Sequence, residues 1–427
     1  MTATTAPRSA AVAPAAATQR PLEVLGWAAY LACSWTWCIG MFLPVLLLRD
    51  HGTWAWVVFA IPNVVGAAAM GWVLQRPGSS ERMVGRHTGA MAAFSAVTIL
   101  FHVLFVGWVV RWLSESALGN WGMVAAAAGA AVVFLPVVMN RKAGLALAAL
   151  VWAGSIVAFG FAVANGRLEG PRGNPSGELL YLAPVCLIGF ALCPYLDLTF
   201  HRARQSVSTY GSVAAFTLGF GALFLAMIVF TLYYGPLVIP PDAARPWARS
   251  QPVGHVLALA VAAHMSGQSG FTVAAHALEL GRRVRRVGEK ARGGLLAGAL
   301  LGVAILGGTY FVNTRGGYLW LGTQPLSGNE MGYRLFMSFY GLIAPGYVWL
   351  FVVPWRNGRA TEKAKWWTLG ATLAVAGAAY WIGFIETDEP GYGNHAAWLL
   401  AGVTVLLVSR PLVEEVARLR AGKTPRA

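Results

Sequence analysis

Apolar residues in this chain run in stretches of about 20 or more, separated by short polar connections, as suits helices that cross a lipid bilayer. Twelve spans are predicted: 23–48, 53–75, 88–113, 120–139, 143–165, 178–200, 209–234, 252–278, 293–312, 332–355, 365–385 and 395–413. The sixth differs in kind. Its segment PVCLIGFALCPYLDLTFH (184–201) carries Gly189 and Pro194 inside the apolar run, and a carboxylate, Asp197, three residues after the proline. Proline removes one backbone hydrogen bond and frees a carbonyl about one turn earlier, so a bend or an unwound turn is expected there. Lipid does not tolerate freed backbone groups, which places such a break inside a bundle or beside a water-filled cavity.

Composition agrees with this pattern. Of 427 residues, 57% are hydrophobic and 11% charged, against roughly 25% charged in soluble domains. The expectation is an integral membrane protein with no soluble domain, working with a lipid bilayer and a small molecule and not with nucleic acid. Residues 1–22 read as a disordered cytoplasmic tail and 414–427 as a cytoplasmic C-terminal tail. A signal peptide is disfavoured, because the small-residue run AVAPAAA precedes the first apolar segment. The net charge of +15 is explained by where the charges sit. Of the 32 basic residues, 24 fall in the two tails and in one alternating set of connections, which includes Arg141, Lys142 and the cluster GRRVRRVGEKARGG. The positive-inside rule then puts both termini in the cytoplasm, which requires an even number of spans. High Arg and Ala usage suits a bacterial inner membrane. No HExxH, GxSxG, P-loop or Rossmann fingerprint occurs, so the chain is not expected to be an enzyme or an ATP-driven pump by itself.

The first and sixth spans correspond. YLACSWTWCIGMFLP holds Cys33, Ser34, Thr36, Cys38, Gly40 and Pro44, and the sixth span holds Cys186, Gly189, Cys193, Pro194 and Asp197. All four cysteines lie in these two spans. Five is an odd step, so two five-helix units related this way run in opposite orientations, the inverted-repeat pattern of many transporters. On span count, topology, broken spans one and six and two trailing helices, the chain resembles the LeuT-type transporters of the amino acid–polyamine–organocation superfamily. The resemblance implies an all-α polytopic membrane protein of about twelve helices. It would have a first repeat at 23–165, a second at 178–355 and two additional helices at 365–413. It also implies that broken helices hold substrate and ions near the midplane, and that Ser266, Ser269 and Thr272 on the eighth span are counterparts of hydroxyls that hold sodium.

Candidate chemistry follows from the residues themselves. Asp197 is placed to accept a proton or a cation, unless it pairs with His201 one turn on, or with Arg202. His264, Gln268, Thr272 and His276 recur every four residues on one helical face, with Ser269 beside them. They should face the bundle, as a lining for solute, proton or sodium, or as interhelical hydrogen bonds. His102 reads as a structural core histidine; Asn63, after Pro62 in the second span, could donate across helices or bind solute, and the structural reading is favoured. The cysteines suit soft metals by type, but their spacings of five and seven give no metal motif. Trp35, Trp37 and Tyr195 suit contacts to a partly apolar or cationic solute. The expected site therefore binds solute with Trp35, Thr36, Trp37, Gly189, Tyr195 and Gln268. It couples through Asp197, His264, Ser266, Ser269 and Thr272. No cofactor or metal is expected beyond Na+ or H+ as coupling ion. The expected function is ion- or proton-coupled secondary transport by alternating access, the alternative being a non-transporting sensor or subunit on a transporter-like scaffold.

Overall fold

The computed structural model describes residues 20–139, 143–165, 178–238, 255–284, parts of 296–311, 318–320, 325–355, 360–386 and 395–422. Eight of the 20 residues of the ninth predicted span (293–312), most of the basic cluster after span eight, and residues 1–19 and 423–427 of the two tails lie outside the described residues, whereas the last helix, Ala396–Gly422, runs on into the predicted C-terminal tail. Among the described residues, nine helices are long and apolar enough to cross a membrane, or ten if the bent pair Pro21–Trp35 and Cys38–His51 is one span. The helical stretch Ser79–Met139 is itself two crossings. Gly119 takes φ 60°, and Gly122 sits so close to the backbone of Ser114 and Glu115 that a Cβ would lie 2.1 Å from Glu115 N. The chain therefore doubles back there, and Gly122–Met139 packs along Arg111–Leu118. Span three begins earlier than hydropathy predicted, at Ser79, because its polar first turns are anchored: Ser80 reaches His201 (2.8 Å) and Gln205 (2.9 Å).

Span one is broken as expected, but not at Gly40 or Pro44. Half-helix 1a (Pro21–Trp35) stops at Trp35, Thr36 and Trp37 are non-helical, and half-helix 1b (Cys38–His51) leaves at 55° with Pro44 inside it. The break survives in a buried setting because side chains take over the released backbone groups, as lipid-depth structure requires. The Cys33 carbonyl accepts from Thr272 Oγ1 at 3.1 Å, the Ser34 carbonyl from Trp37 Nε1, and the Ala32 carbonyl from Thr36 Oγ1 at 2.8 Å. At the start of 1b, Cys38 N–H donates to His102 Nε2 (3.4 Å) and the Cys38 carbonyl accepts from Tyr333 Oη (3.0 Å). Span six breaks where its proline predicted. Half-helix 6a (Leu179–Leu192) gives way to a 3-10 turn, Cys193–Leu196, and Asp197 opens half-helix 6b (Leu198–Ser206).

Spans one and six run in opposite directions side by side. His51, at the end of 1b, lies 2.7 Å from Glu178 just before 6a, while Ser34 at the end of 1a lies 3.1 Å from Thr199 in 6b. Span two wedges tightly against 6a: a Cβ at Gly66 would lie 2.3 Å from the Phe190 carbonyl oxygen, so only glycine fits there. Span eight (His255–Val284) packs against spans one, three, four, five and 6b. The connection before span ten departs from an all-helical expectation by a small antiparallel hairpin, Tyr318–Trp320 with Pro325–Ser327, in which Leu319 pairs with Leu326.

Candidate functional site at the two breaks

The two breaks enclose a cavity of about 60 Å³, on the order of a few water molecules. Span one contributes Trp35, Trp37, Ile39, Gly40 and Leu43 to its walls. Span two adds Asn63, 6a adds Cys186 and Gly189, and span ten adds Met337, Tyr340 and Gly341. The walls are almost wholly apolar, with a few oriented polar groups. Trp35 Nε1 donates to Asn63 Oδ1 at 2.7 Å, the Cys193 thiol donates to the Tyr340 carbonyl at 3.1 Å, and Tyr340 Oη lies 3.0 Å from Thr98 Oγ1. Gly189 lets 6a pass close to span ten, since a Cβ there would touch the Tyr340 carbonyl at 3.4 Å.

Each side of the cavity is blocked. Six residues beyond Leu43, about 9 Å along 1b, Arg49 meets Glu330 of span ten at 2.8 Å. Asp50 and Arg334 complete a ring of two positive and two negative groups, with Arg334 bonded to Asp50 at 3.1 Å and to Glu330 at 2.9 Å. Towards the opposite end stands a plug of rings. Trp35 packs on Trp37 (4.3 Å between centroids) and Phe200 (4.8 Å), and Trp37 on Phe94, Tyr340 and His276.

Behind the plug, Asp197 is fully buried. Its Oδ1 accepts from the backbone N–H and the hydroxyl of Thr199, both at 2.7 Å, which caps half-helix 6b. The pairing with His201 or Arg202 allowed by helix spacing is not formed among the described residues. His201 instead donates from Nε2 to the Tyr195 carbonyl (3.0 Å) across the span-six break and takes Ser80 on Nδ1 (2.8 Å). Asp197 Oδ2 looks towards His276 Nε2, 3.8 Å away.

The stripe on span eight is buried throughout but does not converge on one point. Thr272 and Gln268 face span one. Gln268 Nε2 donates to Ser155 Oγ (2.9 Å) and also contacts Met227 Sδ (3.2 Å) and Cys33 Sγ (3.7 Å), behind 1a and away from the cavity walls. Ser266 faces Gly129 of span four. Ser269 lines a separate, larger cavity of about 680 Å³ between spans three, four and eight, with His102 and Arg111. His264 sits between Phe230 (4.9 Å) and Tyr234 (6.1 Å), with both ring nitrogens buried and without a hydrogen-bond partner among the described residues. Thr36 is bonded within the break, and Tyr195 is half-buried outside the cavity lining. Of the expected solute-binding residues, Trp35, Trp37 and Gly189 meet at the cavity. Asn63, for which the structural reading was favoured, joins them, and Cys186, Cys193 and Tyr340 do so without having been expected as solute contacts. The signal for Asn63 was an amide one residue after a proline in an apolar span; Tyr340 carried none. The four cysteines are free and buried, and no group of three or more His, Cys, Asp or Glu residues suited to a metal occurs among the described residues.

No family model matches the chain, and no curated protein matches it. Solved structures do. A Na+-coupled sialic acid symporter in a substrate-bound outward-open state is similar over 92% of this chain and 89% of that one, at 14% identity and a TM-score of 0.51. Mhp1, a nucleobase-cation-symport-1 family transporter in a closed conformation with bromovinylhydantoin bound, is similar over 93% of both chains at 14% identity, with a TM-score of 0.43. A manganese transporter from Eremococcus coleocola matches over 93% of both chains at 13% identity, with a TM-score of 0.44. Broken first and sixth spans, the cavity between them and the first of these likenesses make this chain an all-α polytopic membrane protein of LeuT-like architecture.

Proposed function

We propose that this protein is an ion- or proton-coupled secondary transporter that moves a small polar or partly apolar solute by alternating access. The observation that carries the reading is the small cavity at the meeting of two antiparallel, interrupted spans, with a charge ring on one side and a ring plug on the other. At about 60 Å³ the cavity admits little more than water, so solute entry requires the half-helices to move. Trp35, Trp37, Asn63, Gly189 and Tyr340 would hold the solute, by ring contacts and by the amide and backbone groups of the breaks. Coupling is assigned to the polar groups behind the plug, chiefly Asp197, which caps half-helix 6b, and Thr272, which holds the span-one break. His264, Ser266 and Ser269 are the further span-eight candidates. The Na+ dependence of the similar sialic acid symporter supports an ion gradient as the driving force. The charge bias supports an inner-membrane location with both termini cytoplasmic.

A thermal-shift screen of the purified full-length protein tests the reading. Amino acids, nucleobases, sugars, polyamines and metals are each tried with and without sodium. Binding to the folded form raises the transition temperature by mass action. At least one solute class should do so, and Asn63→Leu, folded but with an altered cavity wall, should lose the response. A wild-type protein that no solute stabilises would count against the proposal.

A further inference from the structure

Asp197 and His276 face one another in the buried interior of the bundle, and each has one atom left over. Both side chains are 0% exposed. Asp197 Oδ1 is spent on Thr199, but among the described residues Oδ2 has no hydrogen-bond partner. His276 is oriented through Nδ1 by Ser95 Oγ at 3.1 Å, while its Nε2 has none. The two unused atoms stand 3.8 Å apart, just beyond hydrogen-bond reach.

The groups around the pair supply no counter-charge in contact with it. Span one brings Tyr30 and the indole of Trp37, and span three brings Ser95 and His102. Cys193 of span six, Tyr340 of span ten and Glu279 of span eight complete the surroundings. Arg282 is engaged by Glu279, and no third carboxylate, imidazole or thiol completes a metal site among the described residues. A buried carboxylate without a counter-charge requires either a proton or a cation. Here the atom facing it is an imidazole nitrogen, a second home for a proton.

We propose that Asp197 and His276 form one proton-binding site that ties span six to span eight; naming that proton as the coupling ion rests on the transporter reading above. With a proton on either group, an approach of about 1 Å makes a charge-assisted or neutral hydrogen bond between the two spans. Half-helix 6b carries Asp197 and touches 1a through Thr199 and Ser34, so loading and unloading the site is felt at both breaks.

Infrared difference spectroscopy on the full-length protein in nanodiscs, titrated in sodium-free buffer from about pH 4 to about pH 9, reads the site without any solute. A carboxylic-acid band and an imidazole band should change in one step, as coupled groups do. The step should be absent from Asp197→Asn and kept in Asp197→Glu. In His276→Gln its midpoint should move by about one pH unit, a tenfold change in proton affinity. Replacing choline by sodium should leave the wild-type midpoint in place. No Asp197-dependent band, a His276→Gln titration superimposable on wild type, or a midpoint displaced by sodium would each overturn the proposal, the last by making the site a cation site. Failure of the pair here leaves the transporter reading intact, and a protein that moves no solute can still titrate as described.

Discussion

Replacing Glu330 by glutamine should unlatch the end of the cavity that the Arg49–Glu330 ring closes. The Glu330 carboxylate accepts from Arg49 at 2.8 and 3.2 Å and from Arg334 at 2.9 and 3.1 Å. An amide keeps the shape but removes the charge, leaving two guanidinium groups to share Asp50. Breaking a buried charge pair costs about 3–5 kcal/mol. These side chains retain 6–14% exposure, so about 2–3 kcal/mol is the expected share. If the open form solvates both arginines, that difference favours opening by roughly 30- to 150-fold. The protein carries its own reporters: Cys186 and Cys193 line the cavity, whereas Cys33 and Cys38 are fully buried outside its lining. Maleimide labelling in nanodiscs, resolved by peptide mass spectrometry, should show Cys186 reacting at least about tenfold faster in Glu330→Gln. Cys33 and Cys38 should be unchanged. Labelling of Cys186 within about twofold of wild type, or all four thiols accelerating together, would refute the latch.

Thr272→Val removes the donor to the Cys33 carbonyl and should cost about 1–3 kcal/mol at the span-one break; faster amide exchange over residues 35–39, restored by Thr272→Ser, checks it. Gly66→Ala drives a methyl group into the Phe190 carbonyl and should lower stability by at least about 1–3 kcal/mol, read as a fall in the transition temperature of the unliganded protein. His201→Phe removes the bonds to Tyr195 and Ser80 and should loosen the start of span three against 6b. Increased exchange at residues 79–84 would show that loosening, and unchanged exchange would exclude it.

Much of the scaffold was legible because bilayer thickness dictates run length, and a run of apolar residues needs no tertiary information to be recognised. The span-six break was legible for the same reason, since Pro194 removes a hydrogen bond wherever it is placed. The position of the span-one break was not legible. Nothing in Trp35–Thr36–Trp37 forbids a helix locally. That interruption is held by Thr272, His102 and Tyr333, between 64 and 295 positions away in sequence. Asp197 drew notice as a carboxylate inside an apolar run, and it is buried, but spacing offered His201 as its neighbour. The true facing group, His276, lies on another span, and only packing of span eight against 6b brings it there. The resemblance also grouped Ser266 and Ser269 with Thr272, although their positions around the helix axis turn them to span four and to a second cavity.

Solute flux tests the central claim most directly. Purified protein is sealed into vesicles, a pH or sodium gradient is imposed, and a pooled set of small solutes is followed inside by mass spectrometry. The account predicts that at least one solute accumulates above protein-free vesicles, and that accumulation collapses with the gradient and is lost in Asn63→Leu. Vesicles that concentrate no solute under either gradient would contradict it.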